Sequence, residues 1–191
     1  MNQRNLLEVD WSKIPAPADD GAAAHLVGMM VPPIGLVATD DTSVTLAALP
    51  GRTVVFAYPR TGEPGKIALV DEWDMIPGAR GCTPQTCAFR DLFADLKAAG
   101  AAQVFGLSTQ SNAYQAEMAS RLHLPFPVLS DEKLQLTRAL ELPTMEVAGL
   151  TLIKRLALVV DDARISHVFY PVFPPDRNAG DVLAWLKENK V

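Results

Sequence analysis

The chain has 191 residues, 49% of them hydrophobic, and a formal charge of −5. That is enough apolar material for one substantial core and argues for a single domain, which excludes a disordered chain. The acidic balance, with no Lys/Arg cluster interleaved with aromatics, speaks against nucleic acid or an anionic membrane surface as a partner. Small molecules or proteins remain.

Residues 1–24 are mixed, with Pro15, Pro17, Asp19, Asp20 and Gly21 breaking any long periodic element, and read as an N-terminal arm. The first ten residues lack the apolar run and cleavage site of a signal peptide, and no stretch approaches transmembrane length. The expected setting is the cytoplasm, where a cysteine pair is more often catalytic or redox-sensing than structural. A short helix is expected over 22–29. Residues 34–38 and 43–46 suggest a hairpin turning at 39–42. The near-continuous apolar run 53–58, rich in β-branched and aromatic residues, predicts a strand buried on both faces. It ends at Pro59.

From there to Gly81 the chain makes a long excursion punctuated by Pro64, Gly65, Pro77 and Gly78, with an apolar patch at 67–70. Loops of this length in a compact domain tend to be functional or partly structured. A helix follows over 83–99, with Cys87, Phe89, Leu92, Phe93 and Leu96 at helical spacing. Strands are expected at 103–107 and 127–129, a helix to about Leu122 between them, and a helix capped by Asp131 running to about Leu140. Residues 152–160 and 165–170 read as a hairpin, and a last helix spans 178–188. Strand–helix alternation closed by a hairpin and helix predicts an α/β sandwich, with its site at the C-terminal end of a central strand.

Cys82 and Cys87 are the only cysteines, and they fall where the excursion runs into the helix. A thiol in the first turn of a helix meets the positive end of the dipole and unpaired N–H groups, which favour thiolate. Cys82 is thus a candidate nucleophile. In an intact helix, residues i and i+5 have Cα atoms roughly 8–9 Å apart, whereas disulfides rarely tolerate more than about 7 Å. A bond between the two cysteines would need the first turns to unwind. Zinc is disfavoured, since a structural site wants four ligands and the chain adds only His25, His123 and His167, all scattered.

The segment 81–91, reading GCTPQTCAFRD, resembles the GCTxxxCxFRD segment of the Q-type peroxiredoxins, also called bacterioferritin comigratory proteins. The likeness continues through 53–59, 105–109, 126–131, 154–160 and 167–169, and runs from about residue 25 to the end. The resemblance implies a thioredoxin-like fold elaborated as in the peroxiredoxins. It implies a thiol peroxidase for hydrogen peroxide or organic hydroperoxides, with Cys82 peroxidatic and Cys87 resolving through an intramolecular disulfide. It also implies Arg155 as the arginine that meets thiolate and peroxide, and a thioredoxin-like or glutaredoxin-like reductant. No metal or organic cofactor is required, and a monomer or homodimer is expected. Arg80, nearer in sequence, reads as a solvated loop residue.

Two features depart from the family. Its P-x-x-x-T-x-x-C signature is broken, with Met75 where the proline should stand and Ala79 where the threonine should. The loop 60–76 is longer than the family's. Either the protein works without those groups, or the excursion lets Pro59 and Thr61 return to the site as substrate-binding residues. Thr83 could cap the helix or fix the sulfur. Two other readings stay open: a thioredoxin-type thiol–disulfide oxidoreductase, which the missing C-x-x-C disfavours, and a non-enzymatic redox sensor.

Overall fold

A computed structural model describes residues 9–190; what the sequence suggests for residues 1–8 and Val191 lies outside the described residues. The centre is a seven-stranded mixed sheet. In chain order its strands are β1 (Gly35–Ala38), β2 (Ser43–Thr45), β3 (Arg52–Ala57), β4 (Gln103–Ser108), β5 (Val128–Ser130), β8 (Leu156–Asp161) and β9 (Arg164–Phe169). Two further strands, β6 (Thr144–Val147) and β7 (Leu150–Ile153), form a separate two-stranded sheet. The main sheet runs β2-β1-β5-β4-β3-β8-β9, with β3, β4 and β5 parallel and the flanking pairs antiparallel. The helices are α1 (Cys82–Asp91), α2 (Phe93–Ala98), α3 (Asn112–Arg121), α4 (Gln135–Ala139) and α5 (Asn178–Glu188). Among the described residues no helix is long and apolar enough to cross a membrane.

β3 explains the continuous apolar run, because every one of its six residues is buried. Val55 and Ala57 enter one core with Leu36, Leu107, Leu129 and Leu158. Val54, Phe56 and Tyr58 enter the other, under the helices, with Phe89, Met118 and Leu186. The alternation of side chains along a strand distributes one run to two layers. Phe56 stacks on Phe89 of α1 with ring centroids 4.0 Å apart, which fixes the helix over the end of β3.

The expected helix at 22–29 is absent, and turns replace it. Gly28 N–H donates to the Ile165 carbonyl, Ile165 N–H to Met29, and Val31 N–H to Ala163. The backbone groups a helix would have used internally go instead to the open edge of β9, and Ala23 and Leu26 fill the core below. The helix expected over 83–99 is two, since Leu92, with ψ 7°, ends α1 before α2 begins. α4 starts at Gln135 rather than next to Asp131, whose carboxylate accepts the N–H groups of Gln135, Leu136 and Thr137 at 2.7–3.2 Å.

The strand expected over 152–160 is also divided. Lys154 and Arg155 leave the ladder between β7 and β8, and β7 pairs back on β6 through a tight turn. Ala148 and Gly149 in that turn have φ of 51° and 75°. An alanine at positive φ is not the Asn-Gly or Asp-Gly signal that marks such a turn in a sequence. The β6–β7 hairpin is the platform for the excursion. Trp73, Ala79, Val147 and Leu152 form a small third core, with Leu69, Val70, Ile76 and Met145 against it.

Candidate active site

Cys82 is the first residue of α1, 3% exposed, at the C-terminal end of β3. Gly81 precedes it in a left-handed conformation with φ 105°. A Cβ there would lie 2.6 Å from Pro175 Cγ and 2.7 Å from Trp11 Cη2, so only glycine fits. Trp11 is held in turn by its indole N–H, which donates to Asp176 at 2.8 Å, and by an edge contact with Phe173. Trp11, in the expected arm, therefore lies against the start of α1, where Phe173, Pro175 and Asp176 meet it. Gly81 occupies the cap position, so Thr83, which is buried, lies inside the helix and does not cap it.

Arg155 reaches this point from the break between β7 and β8. Its Nη2 lies 3.3 Å from Cys82 Sγ and donates to the carbonyls of Gly78, Ala79 and Arg80 at 3.0–3.2 Å. Its Nη1 donates to Gln85 Oε1 at 2.5 Å, and the residue is 2% exposed. The guanidinium thus binds three successive carbonyls of the loop before Cys82 and the sulfur itself. The Cys82 thiol donates to the Ala79 carbonyl at 3.5 Å. Tyr58 shares the buried cluster of Cys82 and donates its hydroxyl to Gln115 Oε1 at 2.9 Å; burial, and the charge of Cys82 when ionised, push its phenol well above the ordinary range.

Ala79, where the family carries a hydroxyl, is fully buried and belongs to the third core with Trp73 and Leu152. A threonine there would put a polar group into that cluster. Pro59 and Thr61, expected as substrate-binding residues, direct their hydrogen bonds elsewhere than to the sulfur. Thr61 N–H and Oγ1 both donate to Gln110 Oε1, Tyr114 donates to the Thr61 carbonyl, and the Pro59 carbonyl accepts from Ser108. The hydrogen bonds of these two residues tie the excursion to β4 and α3, not to Cys82. Arg80 is not solvated either: its side chain is 11% exposed and paired with Asp74 at 3.2 Å.

Cys87 sits five positions on, still within α1, and both cysteines are free. Burial raises the Cys87 thiol, the Arg90 and Arg121 charges offset part of this, and Asp91 adds to it. Beside Arg155 opens a cavity of about 250 Å³ with apolar lining from Pro17, Pro77, Met145 and Pro171. At its wall Asp20 accepts from Lys154 Nζ at 2.6 Å and from the Tyr170 hydroxyl at 2.7 Å. These bonds hold the Asp20 carboxyl far below its usual range and tie Asp20 to the residues that flank β8 and β9. Among the described residues no group of three His, Cys, Asp or Glu could hold a metal.

A mixed sheet flanked by helices, with a buried cysteine at a helix start facing an arginine, is a thioredoxin-like fold carrying a candidate thiol site. Comparison with known proteins gives the family. The redoxin family model matches residues 26–183. The chain is 31% identical over 162 residues to the chloroplastic peroxiredoxin Q of Oryza sativa subsp. japonica, covering 84% of this chain and 66% of that protein's length. It is 31% identical over 167 residues to peroxiredoxin Bcp of Escherichia coli K12, covering 85% of this chain and 96% of that one. The crystal structure of peroxidoxin BcpB from Mycobacterium tuberculosis matches with a TM-score of 0.68 at 26% identity, over 86% of this chain and 98% of that one. The chain belongs to the peroxiredoxins, among their Q-type and Bcp members.

Gln85, which accepts from Arg155, and Asn178, which accepts from Gln85, were not among the residues the sequence singled out. Gln85 had one signal, its position one helical turn after Cys82. Asn178 had none.

Proposed function

We propose that the chain is a thiol peroxidase in which Cys82 attacks the O–O bond of hydrogen peroxide or an organic hydroperoxide. The thiolate sulfur displaces the distal RO⁻ group, which leaves as alcohol or water once protonated, and Cys82 becomes a sulfenic acid. Arg155 is the cation that pairs with the thiolate and then with the charge growing on the peroxide oxygens. The single observation that carries this reading is the 3.3 Å contact between Arg155 Nη2 and Cys82 Sγ in a buried setting. The Ala79 carbonyl at the sulfur, instead of a threonine hydroxyl, leaves Arg155 and the N–H groups at the start of α1 as the donors to substrate.

Cys87 then condenses with the sulfenic acid, releasing water and forming a disulfide. Because both cysteines belong to one intact helix, α1 opens for this step. An external dithiol of thioredoxin or glutaredoxin type reduces the bridge by exchange, taking the oxidising equivalents as its own disulfide. A cytoplasmic setting supplies such a dithiol. The apolar cavity beside Arg155 has room for an alkyl substituent, which supports organic hydroperoxides alongside hydrogen peroxide. One equivalent of hydrogen peroxide added to the reduced protein is expected to give a Cys82–Cys87 bridge, read as a loss of two mass units and by peptide mapping. If the protein stays reduced, or bridges only between chains, this mechanism is wrong.

A further inference from the structure

Arg155 has no carboxylate partner among the described residues, so beyond the Cys82 sulfur its orientation rests on carbonyls and an amide. Its Nη1 donates to Gln85 Oε1, and Gln85 Nε2 donates to Asn178 Oδ1 at 2.9 Å. All three side chains are within 2% of complete burial. The polarity of this chain is fixed from one end. A guanidinium can only donate, so Gln85 must turn its oxygen to Arg155 and its nitrogen to Asn178, and Asn178 must answer with its oxygen. The Asn178 amide nitrogen is left buried without a partner, so this side chain is held where its one bond to Gln85 requires.

We propose that Asn178, the first residue of α5, is a positioning residue for Arg155 and acts through Gln85. α5 fixes the Gln85 amide, and Gln85 fixes one edge of the guanidinium whose other edge meets Cys82. This rests on the assignment of Cys82 as nucleophile. Gln85 also lies between the two cysteines in sequence, so the unwinding that joins them pulls its amide away from both partners. The relay is complete only while α1 is closed, which ties the arginine's aim to the reduced, folded site.

The test compares reduced proteins in single turnover with hydrogen peroxide, and separately the rate at which iodoacetamide alkylates Cys82 in a Cys87→Ser background. Asn178→Leu, close in size but without the acceptor, is expected to slow the peroxide reaction about tenfold, the scale of one hydrogen bond serving a charged group. Asn178→Asp keeps an oxygen facing Gln85 and is expected to recover most of the rate. In a Gln85→Ala background, Asn178→Leu is expected to add nothing. An equal loss in both backgrounds, or a lower melting temperature with unchanged rates, overturns the proposal. If the unmodified protein fails to react with peroxide, the peroxidase reading falls, and the alkylation rates still judge the relay.

Discussion

Cys82 and Cys87 share one helix of ten residues, yet they occupy opposite chemical situations. Cys82 has a guanidinium at 3.3 Å, a loop carbonyl at 3.5 Å and the start of the helix beneath it. Cys87 sits in the helix middle, where burial raises its thiol and the arginines of α1 and α3 act on it only through space. The difference teaches that the two sulfurs are set apart twice over, by their places in the helix, entrance against middle, and by what the rest of the fold brings to each.

The sharpest way to break this asymmetry is to remove one sulfur at a time. Cys82→Ser should abolish oxidation by stoichiometric peroxide. Cys87→Ser should retain one turnover and accumulate a Cys82 sulfenic acid that a 1,3-diketone traps for mass spectrometry. The opposite pattern would exchange the two roles. Next in size is the cation. Arg155→Lys keeps a charge but loses the fork, and should slow the reaction with peroxide about a hundredfold, the usual scale for a donor at developing charge. Arg90→Ala, beside Cys87, should leave that step within about twofold, because its Coulombic influence there is through space and small. Equal losses in stopped-flow traces would mean that proximity of positive charge, not the specific contact, is what matters.

The smallest effect concerns the resolving thiol. With Cys82→Ser as background, the rate of Cys87 alkylation should rise with pH to a midpoint above the ordinary thiol range, because burial disfavours the charged form. Denaturant should bring the midpoint back down. A midpoint at or below the ordinary value in the folded protein would show that the arginine charges outweigh burial at Cys87.

Much of the fold was legible because it is written in local pattern. Residues 53–58 announced a strand buried on two faces, and the final helix was expected over the same residues that α5, Asn178–Glu188, occupies. The candidate site was named at Cys82 and Cys87 through a segment of eleven residues and at Arg155 through resemblance, and the fold brings Arg155 to 3.3 Å from Cys82. What failed to show was whatever depends on a distant partner. Gly28, Met29 and Val31 bond along the edge of β9 where a helix over 22–29 was expected, Thr61 bonds to Gln110, and Trp11 packs on Gly81 and bonds to Asp176. None of these choices has a local signature, since each segment's own propensity was overridden by contacts far along the chain.

By itself, the sequence determined the helix entrance with its unequal cysteine pair, the alternating strands and helices, and the absence of the family threonine at residue 79. Only the tertiary structure decided what that absence means. Ala79 is core for the excursion, packed with Trp73 and the β6–β7 hairpin, while its carbonyl, with Arg155, meets the sulfur. Arg155 and Cys82 lie 73 positions apart in the chain, and Gln85 and Asn178 lie 93 apart. Periodicity and turn chemistry act over a few residues, whereas these meetings are imposed by sheet order and helix packing across the whole domain.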